Sequence, residues 1–233
     1  IEEAVHAFAA GLPDGARLLD AGAGEGAYKA YFPRARYTGL DLGVGDQQWD
    51  YTQLDVLGDL ASLPFADGTF DAAVNIVTLE HVKDPARVVA ELARVLRPGG
   101  WLHVVSEDYG MLHFPRRDGV DPDLLWHRAV VPFTDSQHTD ARIGRRTLPI
   151  LRALGFEHVN IRYLTLDTDS VPRASLAGIF TAWRYGYVDG LAAASGLEPR
   201  AVRAMFDAII ATVNDPAAYG VWQLPVVAGR RPT

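Results

Sequence analysis

Apolar residues along this chain fall into short blocks with two kinds of spacing. Four blocks in the first third are brief and read as strands: 17–20, 37–41, 53–58 and the mostly apolar run 70–77. Such runs suit parallel strands buried on both faces. Between 84 and 97 the spacing changes: Val88, Val89, Leu92, Val95 and Leu96 recur at helical intervals. Asp84 is placed to cap that helix, Pro85 to occupy its first turn, and Pro98-Gly99-Gly100 to end it. Residues 1–10 read as the end of a helix, and residues 25–32 look helical. A fifth strand is expected over 101–106, a helix over 144–154, a sixth strand over 158–166, mostly helix over 173–213 and a last strand over 221–229. Pro225 places that last strand at an edge or marks a bulge in it. Residues 107–140 follow neither spacing.

Strand and helix in alternation predict an α/β fold, a Rossmann-like doubly wound sheet of seven strands with a mainly helical insertion between the last two. One domain of 233 residues carries it, with 107–140 and 170–218 as variable segments that enclose a site. Right-handed crossovers bring the C-terminal ends of the first four strands to one edge, where open sheets of this kind bind ligands.

Residues of chemical interest gather at those strand ends. Gly22-x-Gly24-x-Gly26 follows the first strand, where glycines permit unusual φ and close approach to a ligand. The same stretch reads as Gly-x-Gly-x-x-Ala ending at Ala27, which keeps a nicotinamide-dependent oxidoreductase open as an alternative. Asp20 precedes the first glycine, and a carboxylate there favours a cationic ligand over a pyrophosphate. Asp41 ends the second strand, placed to accept from both hydroxyls of a ribose, with a turn or cap residue as the plain alternative. Asp59 ends the third strand, placed to accept from an adenine amino group while Leu60 covers the ring; Asp55 is its rival. Together they imply a ligand with adenine, ribose and a positively charged tail.

These blocks resemble the class I S-adenosylmethionine-dependent methyltransferases, particularly their small-molecule enzymes. The resemblance rests on Leu18–Gly26, Gly39-Leu40-Asp41, Gly58-Asp59-Leu60, Leu63–Asp71, Leu79-Glu80-His81-Val82 and Leu96–Gly100, in the family's order over residues 16–106. It implies a sheet whose last strand is antiparallel and S-adenosyl-L-methionine as cofactor. By matching position, it implies that Asp20 with Ala21, Gly22, Ala23 and Gly24 holds the methionine part. Asp41, with Leu42 beside it, holds the ribose, and Asp59 with Leu60 holds the adenine. Asn75, Ile76 and Val77 border the reacting methyl group, with His81 nearby. Glu80 and His81 serve equally well as the start of the following helix. His103 alternates into the sheet and reads as a core histidine.

The expected reaction is methyl transfer to an oxygen or nitrogen of a small-molecule acceptor. A base is needed only where the acceptor must lose a proton, and His113, His138, Asp108 and Tyr109 are the candidates. Residues 180–187 either cap the acceptor pocket or make a homodimer contact. A cofactor-binding partner without turnover is a further alternative.

Composition narrows the picture further. The formal net charge is −7, which argues against a nucleic-acid partner. The chain has no cysteine, which removes disulfides, thiolate zinc sites and cysteine nucleophiles and fits a cytoplasmic protein. No metal site and no membrane segment are expected. The chain opens at Ile1 without Met, which leaves room for residues upstream.

Overall fold

The computed structural model describes residues 1–45 and 49–233. The chain divides into two compact units. Unit 1 comprises residues 1–106, 143–164 and 225–233; unit 2 comprises 107–142 and 165–224.

Unit 1 opens with helix α1 (Glu2–Ala10), followed by β1 (Arg17–Ala21), β2 (Arg36–Asp41), β3 (Val56–Leu57) and β4 (Phe70–Ile76). Helix α2 (Pro85–Val95) leads into β5 (Leu96–Val105). These strands order as β3-β2-β1-β4-β5, all parallel. Alternation sends neighbouring side chains to opposite faces. Leu19, Ala73, Leu102 and Val104 join α2 residues Val88, Val89, Leu92 and Val95 in one core. Leu18, Ala72, Val74 and Val105 join Val5 of α1 and Phe32 in the other.

Local chemistry sets the boundaries. Asp84 caps α2 by accepting from the Arg87 N–H at 3.0 Å. Helix α2 stops at Val95, and β5 begins at once, running through Pro98-Gly99-Gly100 with a register shift against β4. The expected helix over 25–32 is absent. Gly24 and Gly26 have φ of 54° and 77°, and only a single 3-10 turn (Lys29–Tyr31) forms before Pro33. The few residues between Gly26 and Pro33 cannot repay helix nucleation. Asp71 opens β4 as an ion-pair hub, accepting from the Arg17 N–H at 2.7 Å and from Arg97 Nε at 2.5 Å.

The next strand in the chain, β6 (Leu112–His113), is a two-residue element that the apolar pattern does not announce; it brings the sheet to eight strands. Helices α3 (Val131–Ser136) and α4 (Ile143–Ala153) come next, then β7 (Glu157–Asp167), α5 (Arg173–Ser195), α6 (Pro199–Asn214) and β8 (Val221–Arg230). α4 adds Ile143 and Leu151 to the α2-side core of unit 1. β8 runs antiparallel to β5 over residues 226–230, while Trp222 and Val221 pair with β6 inside unit 2. Pro225 falls between the β8 residues that pair with β6 and those that pair with β5, and β8 is not an edge strand because β7 also pairs with it.

In unit 2 the expected helical stretch 173–213 is two helices. Gly196, at φ 70°, ends α5, and Pro199 opens α6. Arg173 ties them, donating to the carbonyls of Val213 (2.9 Å), Asp215 (2.7 Å) and Ala218 (3.1 Å).

Candidate cofactor site

The Gly-rich turn of unit 1 is shaped by what it must avoid. Gly22 has φ 86°, and a Cβ there would lie 2.5 Å from the Thr78 side chain. Thr78 itself donates to the Ile76 carbonyl at 3.0 Å, so the end of β4 presses directly on the turn. Val77, at the same corner, holds φ 52°, a conformation that a β-branched residue rarely adopts. Its N–H donates to the Val105 carbonyl at 2.7 Å, which keeps it there. Asn75 is fully buried and donates from Nδ2 to the Ala21 carbonyl at 2.6 Å, clamping β4 to the start of the turn.

Two acids frame the turn. Asp41, half-buried, accepts from the Gly24 N–H at 3.0 Å on one oxygen and the Gly43 N–H at 2.9 Å on the other. Each oxygen keeps a lone pair, so the carboxylate is fixed in place yet still able to receive a pair of hydroxyls. Asp20 is wholly buried, and its Oδ2 accepts from the Tyr37 hydroxyl at 2.6 Å. Its Oδ1 has no partner among the described residues. Burial pushes this carboxyl up to about 6; the Tyr37 hydrogen bond pulls it down, and the charge of Asp41 raises it again. A buried carboxylate with a free oxygen calls for a donor, and a cationic one best relieves its desolvation.

The remaining expected cofactor residues lie as follows. Ala21, Ala23 and Ile76 are buried beside the turn. Leu42 is 54% exposed next to Asp41. Asp59 is exposed and accepts from the Ala61 N–H at 2.8 Å, the geometry of a turn. Leu60 belongs to the α2-side core. Asp55, the rival, accepts from the Gly39 N–H at 2.8 Å. His81 is exposed on the 3-10 turn Leu79–His81. Trp49, which no motif marks, packs over the turn, 3.4 Å from where a Cβ on Gly24 would lie.

The four base candidates belong to unit 2. Asp108 is buried and accepts from the Gly110 N–H at 3.1 Å. Tyr109 stacks against Trp126 and Trp222, with ring centroids 6.1 and 6.4 Å away, and tilts against Trp183 at 5.6 Å. His113 is exposed and faces Asp123 at 3.2 Å, and His138 is exposed with φ 59°. The sequence reading passed over Glu107. It is 7% exposed, burial pushes its carboxyl up to about 7, and it receives the Tyr109 hydroxyl. Its place just beyond β5 is the signal that could have found it, since Asp20 and Asp41 close β1 and β2 in the same way.

Among the described residues, no group of His, Asp and Glu is arranged to hold a metal. A pyrophosphate would seek free N–H groups at a helix N-terminus. Here Gly22 and Ala23 give theirs to the Leu40 carbonyl, Gly24 gives its own to Asp41, and only the 3-10 turn Lys29–Tyr31 follows. The turn therefore presents carboxylate oxygens rather than free N–H groups. The methyltransferase-domain family model matches residues 19–104, from β1 through most of β5. Residues 19–104 belong to the class I S-adenosylmethionine-dependent methyltransferases.

The relatives of this methyltransferase domain agree. An Arabidopsis thaliana tRNA (carboxymethyluridine(34)-5-O)-methyltransferase is 34% identical over 103 residues, 42% of this chain and 26% of that protein. A demethylmenaquinone methyltransferase of Renibacterium salmoninarum is 35% identical over 108 residues, 42% of this chain and 44% of that protein. The chain spans less than half the length of the curated relatives it matches. In fold it is similar to a Haemonchus contortus phosphoethanolamine N-methyltransferase 2, solved with phosphomonomethylethanolamine and S-adenosylhomocysteine. The TM-score is 0.58 at 15% identity, covering 100% of this chain and 52% of the other. S-adenosyl-L-methionine fits the methyltransferase turn: its aminium group meets the need of Asp20 Oδ1, and its ribose hydroxyls suit the free lone pairs of Asp41.

Proposed function

We propose that this protein transfers the methyl group of S-adenosyl-L-methionine to an oxygen or nitrogen of a small-molecule acceptor. The observation that carries this reading is the pair of acids framing the Gly-rich turn, one buried with an unpartnered oxygen and one half-buried with lone pairs to spare. When bound, the cofactor supplies a methyl group on a sulfonium centre. The chain's own work is to hold donor and acceptor in line and to exclude water.

Asp20 and the backbone of 21–24 hold the cationic tail, and Asp41 with Leu42 holds the ribose. Asp59 with Leu60, or Asp55, holds the adenine. Asn75, Ile76, Val77 and His81 flank the transfer centre. Residues 107–140 and 170–218 supply acceptor recognition. Within them the Glu107–Tyr109 pair is the best-formed group for taking a proton, because a carboxyl near 7 is poised between its forms at neutral pH. The net charge of −7 favours a small acceptor over RNA. No helix among the described residues is long and apolar enough to cross a membrane, and a cytoplasmic location completes the reading. Tyr185 and Tyr187, 77% and 48% exposed on α5, are where a homodimer contact would form.

The test is transfer of isotopically labelled methyl from S-adenosyl-L-methionine to a panel of small phenols, amines and carboxylic acids. Turnover with at least one, lowered a hundredfold or more by Glu107→Gln without loss of cofactor affinity, supports the reading. Cofactor binding with no transfer to any acceptor class would favour a partner protein without turnover.

A further inference from the structure

Unit 1 carries a second concavity that the cofactor residues do not line. A groove of about 570 Å³ runs between α1 and the strands β5, β7 and β8. Its volume lies within the range of small-molecule sites, roughly 300–1,000 Å³. Phe8 and Leu12 of α1, Trp101 of β5 and Val226 of β8 make its apolar body. Arg162 of β7 and His103 of β5 also line it.

His103 makes this more than an uncovered sheet face. It is 4% exposed, and its ring stacks on Phe8 with centroids 4.7 Å apart. Its Nε2 has no hydrogen-bond partner among the described residues. Buried polar atoms are ordinarily satisfied, and this one, shielded from solvent while its ring stacks on Phe8, leaves an unmet polar atom in the wall beside the groove. Burial, with Arg162 adding to it, pushes the imidazole down to about 4, so it is neutral at physiological pH and can donate through one nitrogen. Arg162 is exposed, and none of the ion pairs among the described residues includes it. Glu3 sits on the α1 side of the same groove, which gives the site a direction: an anion is drawn to the Arg162 wall and repelled from the other.

We propose that this groove binds an amphipathic organic acid, its carboxylate at Arg162 and its apolar body along Phe8, Leu12, Trp101 and Val226. The occupant is distinct from cofactor and acceptor, and the site stands independently of the methyl-transfer reading.

Octanoate is a suitable probe, titrated calorimetrically into the full chain below its micellar concentration, beside octyltrimethylammonium of equal chain length. Saturable one-to-one binding of octanoate is expected, with octyltrimethylammonium much weaker. Arg162→Gln should weaken octanoate roughly tenfold or more, the loss of a charged hydrogen-bond partner. Arg162→Lys should restore part of that loss. Ala7→Trp, which places a ring in the groove from the exposed side of α1, should weaken it comparably. Both sites are exposed, so an unchanged melting temperature verifies the fold of each variant. The proposal is overturned if octanoate does not bind, whether or not the chain self-associates. It is equally overturned if the variants leave affinity unchanged, if the ammonium analogue binds as tightly, or if S-adenosylhomocysteine displaces octanoate.

Discussion

Replacing Asp20 by Asn should stabilise the ligand-free protein while damaging its cofactor site. The wholly buried carboxyl is raised from an ordinary 3.8 to about 6, chiefly by burial. Each tenfold change in proton affinity is worth about 1.4 kcal/mol, so ionising Asp20 at pH 7.5 costs the fold about 3 kcal/mol. The sign follows from proton counts. Between about pH 4 and 6 the folded state binds more protons than the unfolded state, so stability falls as pH rises and then levels off. Asn imitates the protonated carboxyl and can still accept from Tyr37. The variant should therefore gain up to about 3 kcal/mol at pH 7.5, roughly half of that at pH 5, and almost nothing at pH 3. Urea unfolding of both proteins at the three pH values measures this, alongside titration with S-adenosylhomocysteine, whose affinity should drop tenfold or more. A variant less stable at pH 7.5, or a difference that does not change with pH, would refute the assignment of Asp20 as a buried charge waiting for a cation.

Other outcomes test the frame around that acid. Gly22→Ala should be destabilised by more than about 2 kcal/mol or fail to bind cofactor, because its Cβ meets Thr78 at 2.5 Å and φ is 86°; thermal unfolding reads it, with Gly15→Ala, at φ 76° with open space around it, as the strain-only control. Arg94→Met should cost about 2–3 kcal/mol in denaturant unfolding, since Arg94 donates to Glu91 and Asp67 and to the carbonyls of Leu63 and Phe65, fastening the 63–67 loop to α2.

Much of unit 1 was legible because its signals are local and repeated. Leu18 and Leu19 point to opposite cores as the strand period requires, and the cap, proline and apolar stripe of α2 all agree. The acids at the ends of β1 and β2 were legible for the same reason, since topology alone brings strand ends to one edge. What failed depended on tertiary context. Residues 25–32 have helical composition, yet positive-φ glycines and Pro33 leave room for one turn only. The two-residue β6 exists because β8 offers it a partner. Tyr37 matters through the buried carboxylate it meets, which residue spacing does not record, and Glu107, though marked by its place after β5, through burial and the Tyr109 hydroxyl.

The most direct measurement is the thermal shift of the intact chain with S-adenosylhomocysteine and, separately, with NAD, each repeated on Asp41→Ala. Ligand at about a hundred times its dissociation constant stabilises by about 2.7 kcal/mol, which for a domain of this size is roughly 5–11 °C. The acidic frame of the Gly-rich turn predicts a shift with S-adenosylhomocysteine alone, lost in Asp41→Ala. A shift with NAD alone, or one with S-adenosylhomocysteine that survives in Asp41→Ala, would contradict it.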